Sequence, residues 1–176
     1  STLILTLFPY TTLFRSSRNG VRFGIYKNGE YHDRLFPYDP VPRIIESDEY
    51  DELEKGLKQR VNALNAYLKD IYSDKAIIHD GVVPEEYVYT SAGYFPQVNC
   101  VTPPGGIFAH IAGEDLVQGE DGRWWVLEDN LRIPSGASYP LFVRDIERRI
   151  SPRLFRDVRI RDNREYPRLL RKAMDF

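Results

Sequence analysis

The chain is poor in the residues that most often announce a function. Its one cysteine, Cys100, excludes an intrachain disulfide framework and fits a reducing, cytoplasmic setting. Cys100 has no clear histidine partner, so a thiol nucleophile is weakly supported. The three histidines, His32, His79 and His110, belong to no metal-ligand spacing. Ser135, in Pro134-Ser135-Gly136, lacks the strand-elbow pattern of a serine hydrolase. The longest apolar tract, residues 1–14, is broken by Pro9. It falls short of the roughly 20 residues a membrane helix needs. Neither sign of charge dominates: 24 basic against 26 acidic residues leave a net charge of −2, and no global field selects nucleic acid or a membrane surface.

What remains is an ordinary globular balance, 42% hydrophobic and 28% charged, in 176 residues. That is enough for one domain with a real core. Residues 1–16 stand apart. They lack the basic start and small-residue cleavage site of a signal peptide. The run from Phe8 to Ser16 reads like translated sequencing-adapter sequence at the end of a metagenomic contig. Native sequence is then expected to begin near Ser17, with a natural edge strand as the alternative.

Hydrophobic patterning predicts an α+β fold of antiparallel β-hairpins, one long amphipathic helix and a C-terminal helical segment. Residues 21–26 and 31–36 flank Asn28-Gly29, a hairpin signal. The stretch 39–42 is an extended connector, because residues before proline avoid the α region. Ser47 is a candidate N-cap for a helix whose stripe is Tyr50, Leu53, Leu57, Val61, Leu64, Leu68 and Ile71. Gln59, Arg60, Asn62 and Asn65 lie off that stripe, as solvated or locally hydrogen-bonded residues. Pro84 is expected to open a short helix at Glu85. Strands are expected at 107–117 and 123–130. From Leu141 the pattern is helical, broken by Pro152 and Pro167. Arginines between 144 and 172 are interleaved with acids and read as an exposed helical surface.

The most informative segment lies between Asp115 and Glu128-Asp129-Asn130. Asp121-Gly122 predicts a two-residue type I′ turn, in which residues whose numbers sum to 243 face each other. Asp115 then opposes Glu128, and Asn130 shares their face by strand alternation. Trp124 and Val126 are expected on that face too, in a largely buried hairpin. Two opposed carboxylates repel, which invites a cation. An oxygen-only donor set with few protein ligands suits Mg²⁺. Spacing alone leaves a second reading open, a solvated acidic hairpin. Glu114 opposes Asp129 by the same register, which needs either water or an arginine. Arg132 has the parity of Asn130. If the strand continues, it reaches the same face, either to neutralise phosphoryl charge or to pair with Asp115 or Glu128.

Several ordered motifs resemble the circularly permuted ATP-grasp family, type 2. They include residues 36–43, Gly56-Leu57-Lys58-Gln59-Arg60, Asp70-Ile71-Tyr72, residues 80–84, His110-Ile111-Ala112-Gly113, and above all 126–132 with Pro134-Ser135-Gly136. The likeness runs from about Val21 to Met174. It implies a partial ATP-grasp domain of a cytoplasmic bacterial enzyme. The activity implied is an ATP-dependent carboxylate–amine or carboxylate–thiol ligase working through an acyl phosphate. It implies ATP and Mg²⁺ (or Mn²⁺) as cofactors, with Asp115, Glu128 and Asn130 as metal ligands and Arg132 as a catalytic candidate. Gly113 departs from the arginine that non-permuted ATP-grasp enzymes often carry there, and Glu114 and Gln118 depart from the permuted family. No glycine-rich, lysine-bearing nucleotide loop follows, so residues 17–176 are expected to be an N-terminal piece that is inactive as a ligase by itself. The rival expectation is a non-catalytic binding module whose basic helical tail docks a partner.

Overall fold

The computed structural model describes residues 2–5, 22–35 and 41–175. The adapter-like stretch beyond Leu5, the expected start near Ser17, most of the 36–43 motif and the first half of the 39–42 connector lie outside the described residues. The strands are β1 (Thr2–Leu5), β2 (Arg22–Lys27), β3 (Glu30–Leu35), β4 (Pro42–Ile45), β5 (Gly113–Gln118) and β6 (Trp124–Asn130). The helices are α1 (Ser47–Ile71), α2 (Ala76–His79), α3 (Glu85–Tyr89), α4 (Ser138–Ile150), α5 (Pro152–Asp157) and α6 (Tyr166–Met174). The strands form three two-stranded antiparallel sheets, β1–β4, β2–β3 and β5–β6. This is the mixed helix-and-strand architecture read from the pattern.

The chain divides into two compact units, one of Ser1–Asp51 with Gly136–Leu169, the other of Glu52–Ser135 with Leu170–Phe176. In the first, β2 and β3 meet through Asn28-Gly29 in the expected register, Lys27 facing Glu30. Both turn residues have positive φ, 53° and 81°, as a type I′ turn requires. β1 pairs with β4, Thr2 facing Ile45, so the edge-strand geometry is available to this tract. Backbone pairing of that kind is open to any apolar segment and carries no information on where the tract came from. Tyr50 N–H donates to Glu46 O at 2.9 Å, which makes Glu46 the N-cap and Ser47 the first helical residue. Ser47 Oγ instead accepts from Arg161, which also pairs with Asp51.

Pro152 and Pro167 were expected to break a helix; they stand in the first turns of α5 and α6. The first turn lacks intrahelical N–H partners, so proline loses nothing there. Half of the ten arginines of this region pair with acids, Arg161 with Asp51 among them. Arg148 lies 3.6 Å from Asp162, Arg164 2.6 Å from the same acid, Arg156 2.8 Å from Asp157 and Arg168 3.1 Å from Glu165. The core of this unit includes Ile45, Val143 and Ile146.

The second unit is built on the C-terminal part of α1. Ile71, Tyr72 and Val88 form a buried cluster, packed by Leu68, Ile77, Ile78, Val83, Tyr94 and Phe108. Residues 107–112 were expected to be strand but are irregular, because Asn65 satisfies the backbone that a partner strand would use. Its Oδ1 accepts from Phe108 N–H (3.0 Å) and Ala109 N–H (2.9 Å), and its Nδ2 donates to Ala109 O and Val61 O. Asn65→Ala should therefore destabilise the chain by about 2 kcal/mol, read as a lowered urea midpoint with unchanged slope. A loss under half of that would show that water replaces the amide readily.

Candidate metal-binding hairpin

β5 and β6 carry the residues on which the sequence reading centred, and all lie in the second unit. Asp115 faces Glu128 and Gly113 faces Asn130. The route to that register differs from the expected one. Gly119 N–H donates to Arg123 O, and Gly122 N–H to Gly119 O at 2.9 Å. Gly122 has φ 76°, whereas Asp121 is not among the positive-φ residues. The connection is thus a three-residue loop, a type I turn closed by a left-handed glycine, in place of a two-residue type I′ turn.

That loop shifts the pairing by one, so that Leu116 faces Val126 and Gln118 faces Trp124. An irregularity between Asp115 and Leu116 then leaves Leu127 as an extra residue on β6 and restores the expected pairing beyond it. Two one-residue departures cancel at the acidic end. They do not cancel for the aromatics. Trp124 and Val126 lie with Leu116 and Gln118, on the face opposite Asp115 and Glu128. The acidic face instead carries Val117 and Trp125, and it is exposed: Trp125 is 55% accessible and the bulged Leu127 69%. The hairpin is half-buried among the described residues, not largely buried.

The opposite face shows how the second acidic pair is accommodated. Arg60, on α1, grips Asp129 with both arms of its fork, Nε to Oδ1 and Nη2 to Oδ2, each at 2.6 Å. That hydrogen bond holds the Asp129 carboxyl below the ordinary carboxylate range and raises the Arg60 guanidinium. Glu114 also lies in the field of Arg60. Pattern reasoning put Arg60 off the apolar stripe but could not name its partner, 69 residues away.

Asp115, Glu128 and Asn130 are all exposed, with two carboxylates directly opposed and the amide two residues along the same strand. Among the described residues Asn130 Oδ1 accepts one long bond, 3.4 Å from Ile133 N–H, which leaves it a lone pair. No group of three or more His, Cys, Asp or Glu side chains able to hold a metal occurs among the described residues. The set offers two acids and an amide, which fits a hard cation that keeps waters and takes further oxygens from a substrate.

Arg132 does not follow the parity assigned to it. β6 ends at Asn130, and the chain bends. The Arg132 guanidinium lies 5.6 Å from the centre of the Phe95 ring. Gly113 abuts Pro134, whose Cβ would stand 3.1 Å from a side chain there, so an arginine at that position would need the loop to move. His110 precedes β5 in irregular chain.

A family model described as a circularly permuted ATPgrasp matches residues 42–176. An uncharacterized protein of Synechocystis sp. is 43% identical over 155 residues, 88% of this chain and 32% of that protein. One from Mycobacterium tuberculosis H37Rv is 43% identical over 142 residues, 81% of this chain and 26% of its own. A Frankia casuarinae protein named "Putative glutamate--cysteine ligase 2-2" is 42% identical over 147 residues, 84% of this chain but 17% of that protein. The chain thus spans about a third or less of these relatives. Within it, no described helix is long and apolar enough to cross a membrane. The match agrees with the likeness carried by the motifs; the type 2 subdivision is finer than the match itself.

Proposed function

Because the chain belongs to the circularly permuted ATP-grasp family, we propose that it forms part of an ATP-dependent ligase that joins a carboxylate to an amine or thiol, with Asp115, Glu128 and Asn130 holding Mg²⁺ or Mn²⁺. The register that sets Asp115 against Glu128 with Asn130 beside them is the observation that carries this reading. In the reaction, a carboxylate oxygen attacks the γ-phosphorus of ATP, giving an acyl phosphate and ADP. The amine or thiol then attacks the acyl carbon, loses its proton and displaces inorganic phosphate. Held by these residues, a divalent cation would supply charge neutralisation for the phosphoryl group in transfer. Asp115 and Glu128 would supply the negative charge that retains it, and Asn130 a neutral oxygen that leaves the total charge unchanged.

Arg132 would neutralise phosphoryl charge from just beyond the strand end, a task suited to its rigid fork, by leaving the Phe95 ring. The ligase name of the Frankia relative supports bond formation to a carboxylate as the class of chemistry. Glutamate and cysteine themselves are not carried over, since only about a sixth of that protein matches. The rival reading, a docking module with a basic tail, is disfavoured by the acids that pair with Arg148, Arg156, Arg161, Arg164 and Arg168, half of the ten tail arginines.

Titration with Mn²⁺ alone, followed by loss of the free-ion paramagnetic resonance signal, tests the metal reading. Glu128→Gln should weaken binding at least tenfold with the helical circular dichroism unchanged, because the side chain is exposed. Equal affinity in wild type and variant would overturn the assignment.

A further inference from the structure

Four acids occupy two adjacent pairs, Glu114-Asp115 on β5 and Glu128-Asp129 on β6. Because side chains alternate, a slip of one residue in β6 would exchange which of Glu128 and Asp129 shares a face with Asp115, while the two β5 acids keep their sides. The strand pair has a route to such a slip. It already holds an extra residue at Leu127, and a bulge that moves along β6 would realign everything beyond it. Pairing hydrogen bonds alone do not distinguish the two arrangements, and neither does the exposed face. Arg60 does. It projects from α1 and takes both oxygens of Asp129 at 2.6 Å, in the two-pronged geometry that a fork and a carboxylate share. In the slipped arrangement Glu128 would face the guanidinium; its carboxylate stands one methylene further from the strand, so the fork could take it only by leaving the place it holds against Asp129.

We infer that Arg60 is a positioning residue: by gripping Asp129 it sorts the two β6 acids, leaving Asp115 and Glu128 together on the open face as a cation-binding pair. This inference rests on the proposed metal site, but it makes a prediction of opposite sign to simple electrostatics. A guanidinium near a cation site repels the cation, so an Arg60 that acted only through its charge would, on removal, tighten metal binding. An Arg60 that positions the strand would, on removal, weaken it.

The test uses the full 176-residue chain, Mn²⁺ as probe, and cross-strand nuclear Overhauser contacts between residues 113–115 and 128–130. Arg60→Gln should weaken Mn²⁺ binding about tenfold and remove or double those contacts. The exchanged pair Arg60→Glu with Asp129→Arg should restore both. Unchanged or tighter Mn²⁺ binding with the contacts intact would overturn the inference. If wild type binds no Mn²⁺, the metal reading fails by itself, and the contacts still decide: retained in Arg60→Gln they refute positioning, lost they support it. Should Arg60→Gln not fold, Arg60→Lys keeps the helix charge while its single ammonium cannot hold both oxygens. It should show the same loss of contacts, and their retention would refute the proposal.

Discussion

Urea unfolding of this chain at pH 5 and pH 8 should show a stability loss of about 2.5 kcal/mol at the higher pH that is absent in Glu147→Gln. Glu147, on α4, is fully buried, and among the described residues neither of its carboxylate oxygens has a hydrogen-bond partner. Burial pushes its carboxyl up from 4.5 to about 7. Below about 4.5 the group is protonated in both folded and unfolded chains, and its folded state carries no penalty. Between 4.5 and 7 the unfolded chain releases the proton and the folded chain keeps it, so stability falls with rising pH. Above about 7 both states are ionised and the loss is complete. Asp129 and Asp162, whose arginine partners hold them below the usual range, act in the opposite sense and only at lower pH, where protonation removes their pairing. The two effects occupy separate windows. Glu147→Leu should raise stability at pH 8 further still, since a buried unpaired charge is replaced by an apolar side chain. Parallel pH profiles for wild type and Glu147→Gln would contradict this account.

The sequence carried local chemistry better than long-range geometry. Asn28-Gly29 disclosed its hairpin because both residues accept positive φ, and a type I′ turn needs both. Asp121-Gly122 sent the same signal, but its glycine serves the left-handed position of a longer loop. No residue type marks Leu127 as a bulge: it is neither glycine nor proline, and an extra leucine looks like one more step of a strand. The pairing of Asp115 with Glu128 was therefore reached through an incorrect turn and an unseen bulge of equal size. The faces of Trp124 and Val126, which lie between the two departures, came out inverted for the same reason. Likewise, the helical pattern reads Asn65 and Arg60 as solvated or locally hydrogen-bonded positions, and of the two Asn65 does bond locally, to Val61 O. Their remaining partners lie tens of residues away in sequence, where periodicity carries no signal. Arg132 was placed by extending a strand that stops two residues earlier.

Tyr72→Ala should cost about 4 kcal/mol, the largest effect of any substitution considered, whereas Tyr72→Phe should cost about 1. The ring is buried and stacks on Tyr94, 5.3 Å between centroids and 4° from parallel, and on Phe108 at 5.9 Å and 9°. Truncation would remove a contact at the centre of the cluster that also holds Ile71 and Val88, and a cavity there cannot collapse without moving α1. The hydroxyl does a separate job. It accepts a hydrogen bond from Phe95 N–H at 3.1 Å. Phe95 in turn is the ring beneath the Arg132 guanidinium. Tyr72→Phe thus leaves the core filled but releases the strut of that ring. Its stability loss should be small while the Phe95 amide loses hydrogen-exchange protection. Equal losses for the two variants would mean that the hydroxyl, and not ring stacking, holds the cluster together. An unaltered Phe95 amide in Tyr72→Phe would detach Arg132 from the core.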